Sequence, residues 1–266
     1  MNRVLRNVTG GGGSRLFKYS LAFTLAEVLI TLGIIGVVAA LTIPTLITAY
    51  QKKVTAERLK EVYAQMIQAT KLYESETGED VALYDTQLSP KDFLNQYFVP
   101  YMKVIQTCES VEQCYQNEVP VAIDRKTPLI VRYMLVLANG TYVGVLSSAG
   151  GITFYIDING AGKPNRSGRD IFNFFLFNAG TIGKHPGCEG VLNNMVVNVK
   201  SGLYPGSFGS CYYPLALYKR EQLLNLNSGV HRICNKNTGP DLVAGDACAA
   251  VIMKDGWKIS KDYPWN

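Results

Sequence analysis

The chain has 266 residues, with 26 Lys and Arg against 21 Asp and Glu, 47% apolar residues and 18% charged ones. That apolar content excludes a disordered or low-complexity chain, and 25 glycines without a three-residue period exclude a collagen-like one. Arg3, Arg6, Arg15 and Lys18 account for most of the net charge of +5, so the remainder is near neutral and offers no charge argument for nucleic-acid binding.

In chain order, residues 1–22 read as a short basic leader interrupted by Gly10 to Gly13. From Val28 through Gln51 no charged residue occurs. A run of this length is enough for one membrane-spanning helix, which needs roughly 20 apolar residues. It is longer than the apolar region of a cleaved secretory signal and continues without a break into a helical pattern. The four leader bases are balanced by Lys52, Lys53, Arg58 and Lys60 beyond the run, so basic residues alone do not set the orientation. Beyond it, Leu59, Val62, Tyr63, Met66, Ile67, Thr70 and Tyr73 recur at steps of three and four. They predict one continuous helix from about Phe23 to Thr77, apolar nearly all round in its first half and amphipathic in its second. Gly33, Gly36 and Pro44 should loosen the first half, and Gly78 should end the second.

Residues 90–105 predict a short helix interrupted near Pro100. Leu129–Ala138 and Thr141–Ser148 flank Asn139-Gly140, the strongest short cue for a β-hairpin. After Gly150-Gly151, Ile152–Ile158 reads as a third strand, and Phe172–Phe177 and Met195–Val199 are further candidates. A long helix followed by an antiparallel sheet makes the fold class α+β. The expected organisation is a leader (1–22), an apolar helix (23–50), its amphipathic continuation (51–78) and a globular head (79–266).

At the start of the apolar helix (23–50), Glu27 is the odd residue, because a carboxylate in hydrocarbon is costly without a partner; it reads either as a charge at the helix entrance, snorkelling to the headgroups and facing the helix dipole, or as an assembly device. The string AFTLAEVLITLGIIGVVAALTIP around it resembles the N-terminal motif of type IV pilins and type II secretion pseudopilins. That resemblance covers about 25 residues. It implies cleavage by a prepilin peptidase between Ala22 and Phe23, with Glu27 as the fifth mature residue and Pro44 as the family's helix-kinking proline. The family prefers Gly before the cut, and this chain has Ala22. The resemblance further implies a structural subunit in which Phe23, Leu25, Glu27 and Pro44 serve assembly. It implies inner-membrane lipid as the surroundings before assembly, an exported C-terminal part, and other pilin or pseudopilin subunits as partners in a pilus or pseudopilus. An uncleaved single-span anchored binding domain, and a tip subunit for adhesion or DNA uptake, are the alternatives.

Six cysteines, Cys108, Cys114, Cys188, Cys211, Cys234 and Cys248, all follow the apolar run. Their even number suits an exported, oxidising location. Nearest-neighbour pairing would close three short loops. The rival is zinc, since His185-x-x-Cys188 and His231-x-x-Cys234 repeat one spacing. Asp157, Asn159 and Asp170 bracket a Gly/Asn-rich loop that reads either as a capped turn or as an incomplete calcium loop. The resemblance raises the calcium reading a little, because some pseudopilins carry calcium loops near the sheet, and the capped turn stays the main reading. The nucleophile-elbow, zinc-protease and phosphate-loop motifs are absent from the sequence, and the reading is of a non-enzymatic protein with no required cofactor.

Overall fold

The computed structural model describes residues 23–116, 119–123, 125, 128–129, 131, 133–148, 151–178, 200–208, 213–230, 232–237 and 243–265. Helix α1 runs from Leu25 to Thr77 through Pro44. At 1.5 Å per residue it is about 80 Å long. Gly78 follows in the left-handed region (φ 76°), its N–H bonded to the Glu74 carbonyl, as expected of a helix-ending glycine. The chain falls into two compact units, Met1–Thr48 and Ala49–Asn266, so the second half of α1 belongs with the head.

In the second unit α1 buries Ala56, Leu59, Val62, Met66, Ala69, Thr70 and Tyr73. These follow the predicted spacing. Tyr63 packs edge-on against Phe174 at 5.2 Å between ring centroids, and its hydroxyl donates to the Leu203 carbonyl at 3.1 Å. Those contacts seat α1 on the sheet.

The sheet is a six-stranded antiparallel meander in sequence order. Its strands are β1 (Val104–Cys108), β2 (Tyr133–Leu137), β3 (Tyr142–Ser148), β4 (Gly151–Asp157), β5 (Ile171–Phe177) and β6 (Gly202–Pro205). Asn139 and Gly140 make the β2–β3 turn, with Gly140 at φ 82° and the Asn139 side chain accepting from the Thr141 N–H. Every residue of β4 and β5 is buried. Both faces of these strands are therefore covered, and along β5 the aromatic residues Phe172 and Phe174 alternate with Asn173, Phe175 and Phe177. A two-stranded parallel pair, β7 (Arg232–Ile233) and β8 (Val243–Ala244), and short helices complete the fold. The helices are α2 (Pro90–Tyr97), α3 (Val111–Tyr115), α4 (Arg220–Leu224) and α5 (Cys248–Lys254).

Two expectations change and one strand is added. The helix predicted over residues 90–105 ends at Tyr97, continues as a 3-10 turn over Val99–Tyr101, and gives way to β1 from Val104. Pro100 cannot donate to a continuing helix, and residues 104–108 instead pair with β2 at the sheet edge. The strand predicted from Leu129 begins at Tyr133, because Leu129 donates its N–H to the Pro120 carbonyl and Pro128 bridges to Val121. Gly202–Pro205 is a strand that composition did not suggest, and Met195–Val199 lies outside the described residues.

Candidate functional site

Two regions carry the residues singled out by the sequence. The first is the start of α1. Phe23 is 85% exposed, and Leu25 and most of the large apolar residues through Leu46 are exposed with it. Ala22 lies outside the described residues. Glu27 is partnered within its own chain. Its Oε2 accepts from the Thr24 N–H and hydroxyl, both at 2.8 Å, while the Thr24 hydroxyl accepts from the Glu27 N–H at 3.2 Å. This is a reciprocal capping box, in which Thr24 and Glu27 satisfy donors that a helix start leaves open. The Thr-x-x-Glu spacing makes the box readable in the sequence, and the box sits at the helix entrance, where a carboxylate faces the helix dipole.

Four threonines interrupt the apolar segment, and each hydroxyl turns back on the helix. Thr31 donates to Val28 O (3.0 Å), Thr42 to Val38 O (2.9 Å), Thr45 to Thr42 O (2.8 Å) and Thr48 to Pro44 O (2.9 Å). Such back-bonding lets a hydroxyl sit in hydrocarbon without an orphaned donor. Pro44 has no N–H, which leaves the Ala40 carbonyl without its usual helical donor. No heavy atom lies within 4 Å of a side chain built at Gly33 or Gly36, so both face open space in the single chain.

The second region is the loop between β4 and β5. It brings Asp157, Asn159 and Asp170 together, with the two aspartates buried and Asn159 half-buried. Asp157 is 1% exposed. Its Oδ2 accepts from the Tyr115 hydroxyl at 2.7 Å and its Oδ1 from the Asn159 N–H at 3.1 Å. Asp170 accepts from the Asn165 N–H (2.9 Å) and the Arg166 N–H (2.7 Å). Asn159 donates from Nδ2 to the Gly162 carbonyl at 2.6 Å, and its Oδ1 is buried without a partner. Burial, and then the neighbouring Asp170, raise the Asp157 carboxyl well above the usual carboxylate range. Burial raises Asp170 as well. All four carboxylate oxygens are engaged by the chain's own donors, and among the described residues no three His, Cys, Asp or Glu side chains cluster as metal ligands. The donor set fits a turn held by its own side chains better than a cation cage. Tyr115, 42 residues before Asp157, is the partner that the sequence could not reveal.

The loop is locked to the C-terminal part. The Tyr263 hydroxyl donates to the Gly168 carbonyl at 2.6 Å, and Arg169 donates to the Trp265 carbonyl at 2.8 Å and to Gln51 Oε1 at 3.0 Å. Gly168 sits at φ 75°, where a β-carbon would lie 2.8 Å from the Cys248 sulfur. Only glycine fits that approach.

Cys108 and Cys114 form a disulfide joining β1 to α3, and Cys234 and Cys248 form another at the start of α5. Bonded to Cys248, Cys234 is withdrawn from the His231-x-x-Cys234 ligand pair. Cys188, Cys211, His185 and His231 lie outside the described residues.

Taken together, these features define an α+β protein whose long first helix is apolar enough over one window to cross a membrane, by length and composition, and carries a disulfide-bonded head. Residues 45–181, just over half of the chain, match a family of unknown function (DUF6613), and the chain belongs to that family. The match includes the second half of α1 and the Asp157–Asp170 loop but begins after Glu27. No curated protein and no solved structure matches the chain.

Proposed function

We propose that the chain is a prepilin-like structural subunit, held in the inner membrane by the first half of α1 and assembled through that half into a pilus or secretion pseudopilus. The observation that carries this reading is the build of the segment itself. It is apolar around its whole circumference, internally satisfied at every threonine, and headed by one carboxylate in a Thr24–Glu27 box. In a simple anchor the carboxylate only caps the helix start, whereas an assembling helix can also use it to fix register. The second half of α1, seated on an antiparallel sheet, supports the same reading. So do two disulfides, which suit export.

Ala22 in place of the family's glycine favours, as a second reading, an anchor that is never cleaved. The mass of the N-terminal peptide recovered from sheared surface material tests both. A chain beginning at Phe23, in filaments, is the expected result. A chain beginning at Met1 that stays with the membrane overturns it.

A further inference from the structure

Beyond the apolar run, α1 opens onto a strongly cationic groove of about 570 Å³. Lys52, Lys53 and Lys60 line it from the helix, and Lys258 and Lys261 line it from the C-terminal segment. Ala49 and Ala56, with small side chains, leave room for it on the helix face. Among its described lining residues Glu57 is the acid. Nearby Asp255 and Asp262 share the one guanidinium of Arg220, so together the three return a single negative charge against the five lysines. Trp257 lies in the groove, and the Lys52 ammonium sits 5.9 Å from the centre of the Trp265 ring.

We propose that this groove docks anionic phospholipid headgroups at the membrane surface. Lys52 and Lys53 are the first charges after the uncharged run Val28–Gln51. In a chain that spans the bilayer they stand at headgroup level, and Lys60 is only about 12 Å further along the helix. Ammonium groups are donors for phosphate oxygens, and each one near an anionic surface favours association roughly five-fold. Tryptophan at the same level is the usual aromatic anchor of an interface. Lys258 and Lys261 return from the far end of the chain to the same groove, so the head itself, as well as the helix, is held against lipid. The inference rests on the membrane span proposed above.

Of the chain's two tryptophans Trp257 lines the groove and Trp265 lies beside its Lys52, so selectively excited tryptophan fluorescence reports on this groove. The full chain is reconstituted into phosphatidylcholine vesicles with or without phosphatidylglycerol, each carrying a headgroup-attached spin-label quencher. Quenching should rise about three-fold with phosphatidylglycerol and fall back at high salt, as screening requires. Lys258→Glu combined with Lys261→Glu should abolish the rise, and the paired Lys→Arg changes should keep it. Carbonate resistance of the chain is read from the same vesicles. Quenching indifferent to phosphatidylglycerol in a carbonate-resistant chain overturns the docking while leaving the span intact. A carbonate-extractable chain overturns both. Salt-sensitive cross-linking between copies in phosphatidylcholine alone, with no response to phosphatidylglycerol, assigns the groove to a second copy and also overturns the proposal.

Discussion

Asn173, in the middle of β5, donates from Nδ2 to Oδ1 of Asp246, 73 residues later, at 2.8 Å. Both are fully buried, and the other Asp246 oxygen is held by Arg232, whose guanidinium lies 4.3 Å from the centre of the Phe208 ring. Burial raises the Asp246 carboxyl, with Arg232 opposing it. Removing one partner of a buried pair leaves an uncompensated charge, at a cost of about 3–5 kcal/mol. Arg232→Leu should therefore destabilise the head by about 3 kcal/mol in a denaturant melt. A loss below about 1 kcal/mol, the scale of an exposed pair, would show that Asp246 does not depend on Arg232.

The Asp157–Asp170 loop makes a pH prediction. Asp157 and Asp170 are raised in the folded state relative to the usual value near 4. A raised carboxyl contributes stability that is complete below the unfolded value and is lost as pH rises through the folded one. Asp157→Asn removes that titration while keeping an acceptor for the Asn159 N–H. The stability of the natural protein minus that of Asp157→Asn should be larger near pH 4 than near pH 7. A difference that is flat with pH would show that Asp157 titrates as it does in the unfolded chain.

The same loop distinguishes turn from calcium site. Because its carboxylate oxygens already accept from Tyr115 and backbone N–H groups, chelation should leave the melting temperature of the full chain unchanged. A fall on chelation that Asp157→Ala abolishes would reassign Asp157, Asn159 and Asp170 as ligands, since a ligand bound only to the folded state stabilises it.

Non-reducing peptide mapping should recover Cys108 with Cys114, Cys234 with Cys248, and Cys188 with Cys211, with no free thiol. Breaking the Cys234–Cys248 bridge, which closes a short loop against Gly168, should cost about 2–4 kcal/mol. Free Cys188 and Cys211 with stoichiometric zinc would overturn the third pairing.

Cleavage before Phe23 creates an α-amino group that is cationic at neutral pH, with an ordinary pKa near 8. In an apolar filament core, Glu27 of an adjacent subunit is a carboxylate partner for it, and only one axial register brings the two together. Glu27→Ala should leave insertion and cleavage intact but sharply lower incorporation into filaments made with unaltered subunits. It also removes the capping box, so Glu27→Gln, which can cap without charge, is the companion variant and should fail in the same way. Normal incorporation of either at equal membrane level would remove the charge-pair argument.

Much of the architecture was legible because it is periodic or local. The face Leu59–Val62–Met66–Tyr73 and the Asn139-Gly140 turn are written in spacing and turn chemistry. The strand Phe172–Phe177 is apolar at every position but Asn173, and burial on both faces follows from that. Residues 104–108 escaped because a short mixed run at a sheet edge has neither clean alternation nor a helical stripe. Helix α5 escaped because Cys248–Lys254 is too short to separate helix from strand by pattern. In the candidate site, Asp157, Asn159 and Asp170 were found from composition. Their partners were not, since Tyr115 and Tyr263 reach the loop through tertiary contacts that no local pattern encodes.

The back-turned threonines of α1 have a consequence for passage between environments. Thr31, Thr42, Thr45 and Thr48 carry their acceptors with them, so they offer the same closed polar bonds to an acyl chain as to a neighbouring helix. A segment of this kind can trade lipid for protein around its whole circumference without breaking a hydrogen bond or finding a new one. Its choice of surroundings is then left to shape, and to the single carboxylate at its head.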